Sequence, residues 1–151
     1  CFCDGMLSIR LSGAESAVRA AHIKLGGDVL ADGNAFWQSV REQSHEFFPL
    51  GQSLWRLSIK STTPPLALPG QQLIEWHGAL RWLACDADVN AETIRKAAKD
   101  AGGHATRFCG DASRSQVFHP LDSGLMTIHR ALKQKFDPAG ILNPGRLYPE
   151  L

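Results

Sequence analysis

Within Leu54-Trp55-Arg56-Leu57-Ser58-Ile59-Lys60, Trp55, Leu57 and Ile59 alternate with Arg56, Ser58 and Lys60. Successive side chains of a strand point to opposite faces, so this segment demands a sheet with one strongly apolar face. The next residues cannot extend it. Thr62-Thr63-Pro64-Pro65-Leu66-Ala67-Leu68-Pro69-Gly70 is interrupted by prolines, which have no N–H to give to a ladder, and reads as an ordered, extended loop. A strand that stops this abruptly must find its partners elsewhere in the chain.

The candidates are spread on both sides. Met6 to Leu11, bounded by Gly5 and Gly13, suits a strand. Ser12 with Glu15 three residues on forms a capping box, in which each side chain satisfies a free backbone N–H. Ala14, Val18, Ala21 and Leu25 then recur at helical spacing up to the Gly26-Gly27 stop. Asp28 to Ala31 is a short strand candidate, and Asn34 to Ser44 a second helix carrying Phe36, Trp37 and Val40. Leu73–Trp76 and Ala79–Ala84 flank His77-Gly78 as a hairpin. Asn90 caps a helix through Ala101, with Ile94, Ala97, Ala98 and Ala101 on one side. Gly102-Gly103 ends it, His104–Phe108 returns as a strand, and 110–116 is a polar loop.

Val18-Arg19 precedes Gly26-Gly27 by the interval that separates Ile94-Arg95 from Gly102-Gly103. Either Gly-Gly is merely a common helix stop, or two βαβ-like halves share one antiparallel sheet. The second reading predicts an α+β, ferredoxin-like (split βαβ) domain over residues 1–121 with helices on one face, followed by a C-terminal helix and tail over 122–151.

The tail is the most informative stretch. Asp122 caps a helix whose Leu125, Ile128, Leu132 and Phe136 form an apolar stripe, and Pro138 stops it. Phe136-Asp137-Pro138-Ala139-Gly140-Ile141-Leu142-Asn143-Pro144-Gly145-Arg146-Leu147 then packs two turn signals, Asp-Pro-x-Gly and Asn-Pro-Gly, around one apolar pair. Such closely spaced turns hold Asn143 and Arg146 in nearly fixed positions, either as a plain clasp or as contacts to another body.

Composition excludes more than it selects. Sixteen Lys and Arg against fifteen Asp and Glu leave a net charge of +1, without the concentrated basic patch of a nucleic-acid binder. No apolar run approaches the ~20 residues of a membrane span. Four cysteines without secretory signals are expected as reduced thiols in an intracellular protein, and Cys1-x-Cys3 lacks the gap of zinc motifs. The six histidines show no ligand spacing, so no metal is expected. The abrupt start at Cys1-Phe2-Cys3-Asp4-Gly5 suggests a processed or cut fragment.

The tail resembles the C-terminal signature of FAD-linked oxidases of the vanillyl-alcohol oxidase type. Leu54-Trp55-Arg56-Leu57-Ser58, Thr62-Thr63-Pro64-Pro65, Gly78-Ala79-Leu80-Arg81-Trp82-Leu83, Gly102-Gly103-His104-Ala105-Thr106 and Val117-Phe118-His119-Pro120-Leu121 are similar to the FAD-binding subunits of glycolate oxidase complexes. The resemblance implies that an N-terminal domain, outside this chain, holds the FAD dinucleotide while a C-terminal cap covers the flavin and shapes the substrate site. It implies a second flavin subunit and an iron–sulfur subunit as partners, oxidation of glycolate to glyoxylate, and a cytoplasmic location at the inner face of the membrane. It also implies that this chain alone binds no FAD and is inactive. A free-standing ferredoxin-like binding or regulatory module, or a structural subunit of an oxidoreductase, are the alternatives.

Oxidising a 2-hydroxy acid on flavin needs a cation for the carboxylate and a base for the hydroxyl proton. Arg suits the carboxylate through its two-pronged geometry. Arg56 and Arg81 sit on expected strands, where either could face a flavin or make a surface salt bridge. His104, at a strand start after Gly-Gly, is the candidate base or donor. His119 and His129 are weaker candidates. Asn143, Gly145 and Arg146 are expected at the flavin side through the tail, and the four tryptophans in packing.

Overall fold

The computed structural model describes residues 1–48, 53–110 and 117–151. Its centre is a six-stranded antiparallel sheet of order β2-β1-β4-β5-β3-β6, built from β1 (Phe2–Cys3), β2 (Met6–Leu7), β3 (Ser53–Ser58), β4 (Gln71–Glu75), β5 (Leu80–Cys85) and β6 (His104–Cys109). Four helices accompany it: α1 (Glu15–Leu25), α2 (Gly33–Arg41), α3 (Ala91–Asp100) and α4 (Ser123–Phe136). The class is α+β, as expected. The strands β4-β5-β3-β6 lie in the ferredoxin-like order, but only one crossover is helical. α3 joins the parallel pair β5 and β6 around β3, whereas β3 reaches β4 through the proline-rich loop.

β3 alternates as its sequence requires. Trp55, Leu57 and Ile59 are buried with Leu83, Cys85, Ile94, Ala98 and Ala105, under α3 and the loop residues Leu66 and Leu68. The opposite face carries a second, smaller core of Leu54, Leu73, Trp82, Ala84 and Phe47. Trp55 is enclosed, with the guanidinium carbons of Arg95 and Arg107 at 5.5 and 4.8 Å from its ring centroid, within cation–π range.

Asn90 caps α3 by accepting from Glu92 N at 2.9 Å, and Asp122 caps α4 by accepting from Leu125 N at 2.8 Å. α3 ends in a Schellman motif. Gly102, at φ +73°, donates to Lys99 O at 2.8 Å, and Gly103 donates to Ala98 O at 2.9 Å. α4 stops before Pro138.

The N-terminal half departs from expectation. Ser12 is no cap: α1 starts at Ala14, without a side-chain hydrogen bond. Residues 28–31 form no strand, so the matched Gly-Gly pairs do not mark equivalent halves. α1 itself buries no residue fully. The strand expected over Met6–Leu11 shrinks to Met6–Leu7, paired through an Asp4-Gly5 turn to the unforeseen Phe2–Cys3. Asp4 and Gly5 take φ values of 48° and 78°, the left-handed pair that two-residue hairpins prefer. The polar loop expected over 110–116 lies, beyond Gly110, outside the described residues.

At the far edge, β6 is partly covered. Arg107 N donates to Val117 O at 2.9 Å and Ala105 N reaches His119 Nδ1 at 3.4 Å.

Candidate functional site

The expected site residues fall in three places. Arg56 is exposed on the sheet face opposite α3, and the register sets it against Thr106 and Trp82. His104 stands opposite Ser58, on that same face two positions along. Arg81 faces the other way. Only 3% exposed, it stands opposite Leu57 on the α3 side of the sheet.

Arg81 is fully engaged. Its Nε donates to Gly78 O at 3.2 Å, Nη1 to Pro64 O at 2.9 Å and Nη2 to Thr63 O. Burial pushes its pKa down, though not enough to neutralise a guanidinium. The side chain pins the Thr62–Pro65 loop and the β4–β5 turn to the sheet. None of the three carbonyls is a substrate.

Arg56 opens onto a cleft of about 610 Å³ between α2 and the sheet, lined also by Arg10, Arg41, Glu75, Trp76 and Trp82. Glu75 is held in place by Trp82, whose Nε1 donates to Oε2 at 2.9 Å. Arg41 pairs with Glu42 at 2.8 Å on the surface. Over the cleft stands the β4–β5 tip, where Trp76, His77 and Gly78 take φ values of 49°, 55° and 93°. Trp76 is 76% exposed, which corrects the expectation that all four tryptophans pack. Neither Arg10 nor Trp76 is visible as a site residue from sequence, because nothing local brings the N-terminal loop to this face. The run of left-handed residues has a faint signal in His77-Gly78.

The tail makes the remaining place. Asp137 organises it: Oδ1 accepts from Ile141 N at 3.1 Å, Oδ2 from Leu142 N at 2.8 Å, and Lys133 Nζ lies 2.7 Å from Oδ2. Gly145, at φ +64°, donates to Leu151 O at 2.5 Å, and Arg146 N donates to Asn143 O at 3.2 Å. Tyr148 Oη donates to His119 O at 2.9 Å, tying the tail to the segment beside β6. Asn143 and Arg146 line a cleft of about 490 Å³ with His129, Leu132, Phe136 and Leu147.

Asp137 gives the tail a pH dependence. The Lys133 hydrogen bond, then the Leu142 and Ile141 N–H donors, hold its carboxyl below the ordinary 3.8. A depressed pKa stabilises the folded turn at pH values above 3.8, and that contribution is lost as pH falls through the lower folded value. The amide shifts of Ile141 and Leu142 are therefore expected to titrate together below pH 3.8. In Asp137→Asn both should be flat across that range.

The tail does not form a phosphate nest. The N–H groups of Ile141, Leu142, Gly145 and Arg146 are all spent on Asp137, Leu151 or Asn143, whereas a dinucleotide cradle presents free N–H groups. The groups that the tail leaves available are side chains: the Arg146 guanidinium and a set of exposed apolar groups. Leu125, Ile128, Leu132 and Phe136 on α4 are each about half exposed or more, with Ile141, Leu142 and Leu147 beside them. Among the described residues no cluster of His, Cys, Asp or Glu could hold a metal ion, and no helix is long and apolar enough to cross a membrane.

The described residues thus combine an antiparallel sheet that has one helical crossover with a clasped tail beside an exposed apolar helix. Residues 110–147 match the family of FAD linked oxidases, C-terminal domain, so the chain carries that family's signature in α4 and its tail. Over its full length it is 49% identical to the glycolate oxidase subunit GlcE of Escherichia coli (strain K12). The chain spans 41% of the length of that relative. No solved structure matches.

Proposed function

We propose that the chain is the C-terminal cap of the FAD-binding subunit of a glycolate oxidase, seated over flavin held by another part of the same subunit. The complete subunit takes part in the flavin-dependent oxidation of glycolate to glyoxylate. FAD supplies the hydride-accepting chemistry, and this chain supplies the roof. The sheet face opposite α3 carries the exposed Arg56 as the cation for a carboxylate and the exposed His104 beside it, while Asn143 and Arg146 contact the flavin-holding domain. Arg81 supports the roof from behind. A second flavin subunit and an iron–sulfur subunit complete the assembly, at the cytoplasmic side of the membrane.

One observation carries this reading: the stripe Leu125, Ile128, Leu132 and Phe136 faces solvent along the whole of α4, and Phe136 is 79% exposed. An amphipathic helix buries its apolar side against something, and a contiguous patch of this kind marks a contact surface. The likeness to a subunit more than twice as long is consistent with that covering partner. A free-standing regulatory module would instead present a polar outer face, and is disfavoured.

The test is co-expression with the preceding flavin-binding portion of the same protein. The two parts should copurify as a yellow complex, with amide exchange in Leu125–Phe136 slowed relative to the colourless chain alone. Leu132→Asp with Phe136→Asp should abolish copurification and leave the chain folded, since both side chains are exposed. Equal exchange with and without the partner would overturn the proposal.

A further inference from the structure

The tip of the β4–β5 hairpin is an outlier that the roof reading does not explain. Two non-glycine residues in succession, one of them a tryptophan, occupy the left-handed region. Each such residue costs of order 1 kcal/mol or more, a cost that persists only where surroundings enforce it. Here they do. Gly78 sits so close to Ser61 O that a Cβ would lie 2.7 Å away, and Arg81 Nε donates to the Gly78 carbonyl. The tip is thus clamped from beneath, yet the side chain it displays is not packed into the core.

Trp76 lines the same cleft as Arg10 and Arg56. Arg10 comes from the loop after β2 and Arg56 from the centre of the sheet, so the two cations are brought together by topology alone. Neither has a salt-bridge partner among the described residues, whereas Arg41 is paired with Glu42. Glu75 is the one carboxylate of the lining, and Trp82 ties it down. Two guanidiniums and an indole ring lining one cleft form a receptor for a carboxylate whose remaining substituents are small or flat.

We infer that Arg10 and Arg56 together grip the carboxylate of a small 2-hydroxy or 2-oxo acid, and that Trp76 is the size gate above it. This rests on the roof reading and adds two residues to it. Arg10 is the second cation and Trp76 the specificity determinant. The cleft, at about 610 Å³, exceeds what a two-carbon acid fills. Discrimination against larger acids is therefore assigned to the Trp76 indole at the cleft, not to the remaining walls. The clamped backbone fixes the point from which that indole projects.

The test uses the 151-residue chain itself, titrated with glycolate, lactate and mandelate and followed by the Trp indole and Arg Nε resonances. The titration reads the arginines directly, whereas docking on a flavin domain is read by copurification, so the two can fail separately. Glycolate is expected to shift Arg10 and Arg56 Nε signals, and Arg10→Gln or Arg56→Gln each to weaken binding about tenfold, the loss of one charge-assisted contact. Trp76→Ala should raise the ratio of mandelate to glycolate affinity about tenfold, as removal of a steric block predicts. The exposed positions of Arg10, Arg56 and Trp76 make misfolding a poor explanation, and unchanged far-ultraviolet dichroism checks it. Glycolate that shifts neither arginine signal, or binding that ignores both arginine substitutions, overturns the grip. A mandelate-to-glycolate ratio unmoved by Trp76→Ala overturns the gate.

Discussion

Arg81→Met is expected to lower the unfolding free energy of the chain by about 3–4 kcal/mol. The guanidinium serves three backbone carbonyls, those of Gly78, Pro64 and Thr63. Hydrogen bonds to a charged donor each contribute about 1.5–3 kcal/mol, and carbonyls left dry lose more than the bond itself. The effects are not additive, because the proline loop will partly lift away and rehydrate. Methionine keeps the length of the side chain and its apolar contacts, so the lost hydrogen bonding dominates. In a chain of this size the thermal midpoint should fall by about 10 °C. Arg56→Met, on the exposed face of the same sheet, is the control and should stay within about 0.5 kcal/mol. A loss below about 1 kcal/mol for Arg81→Met would mean that the loop holds itself in place.

Gly103→Ala is the second large effect, expected at about 3 kcal/mol or more, and its cause differs from that of its neighbour. Gly102 is glycine for its backbone angle, at φ +73°, and alanine there should cost about 1 kcal/mol, the usual penalty for a left-handed residue. Gly103 has no such angle. Its Cβ would overlap the Ser58 carbonyl oxygen outright and lie 2.8 Å from Ile59 Cα. Those atoms are backbone at the end of β3, so no rotamer change relieves the overlap. Either β6 moves away from β3, or the Schellman closure of α3 opens. Both routes disturb the core around Leu57, Ile94 and Ala105. Urea unfolding of the two variants separates the causes, and equal losses would show that conformation alone governs both positions.

These two positions also show which features are legible in a sequence. Alternation in 54–60, the His77-Gly78 hairpin, the caps at Asn90 and Asp122 and the helix stop at Gly102 are all local signals, and the structure keeps them. Each is decided by residues within a few positions of one another. Arg81 is legible as a strand residue but not as a clamp, because its partners lie 17 and 18 positions away in a loop without periodicity. The Asp4-Gly5 hairpin carries its own turn signal, yet two-residue strands are too short for alternation to register. α1 shows the converse failure. Its sequence has helical spacing and a stop, and the helix forms, but none of its residues becomes fully buried. Secondary structure is therefore readable there, and tertiary placement is not. Of the expected catalytic group, Arg56 and His104 share a face and Arg81 opposes them. That separation depends on strand register, which no single segment encodes.

The covering of β6 by residues 117 and 119 has a consequence for how copies of this chain meet. With Arg107 N and Ala105 N occupied, an intruding strand finds few free donors at that border, and the opposite border is only the two residues of β2. Growth of fibres by strand addition is thereby blunted at both ends. Aggregates formed at high concentration should be greasy, detergent-soluble clusters joined through α4, with no cross-β diffraction.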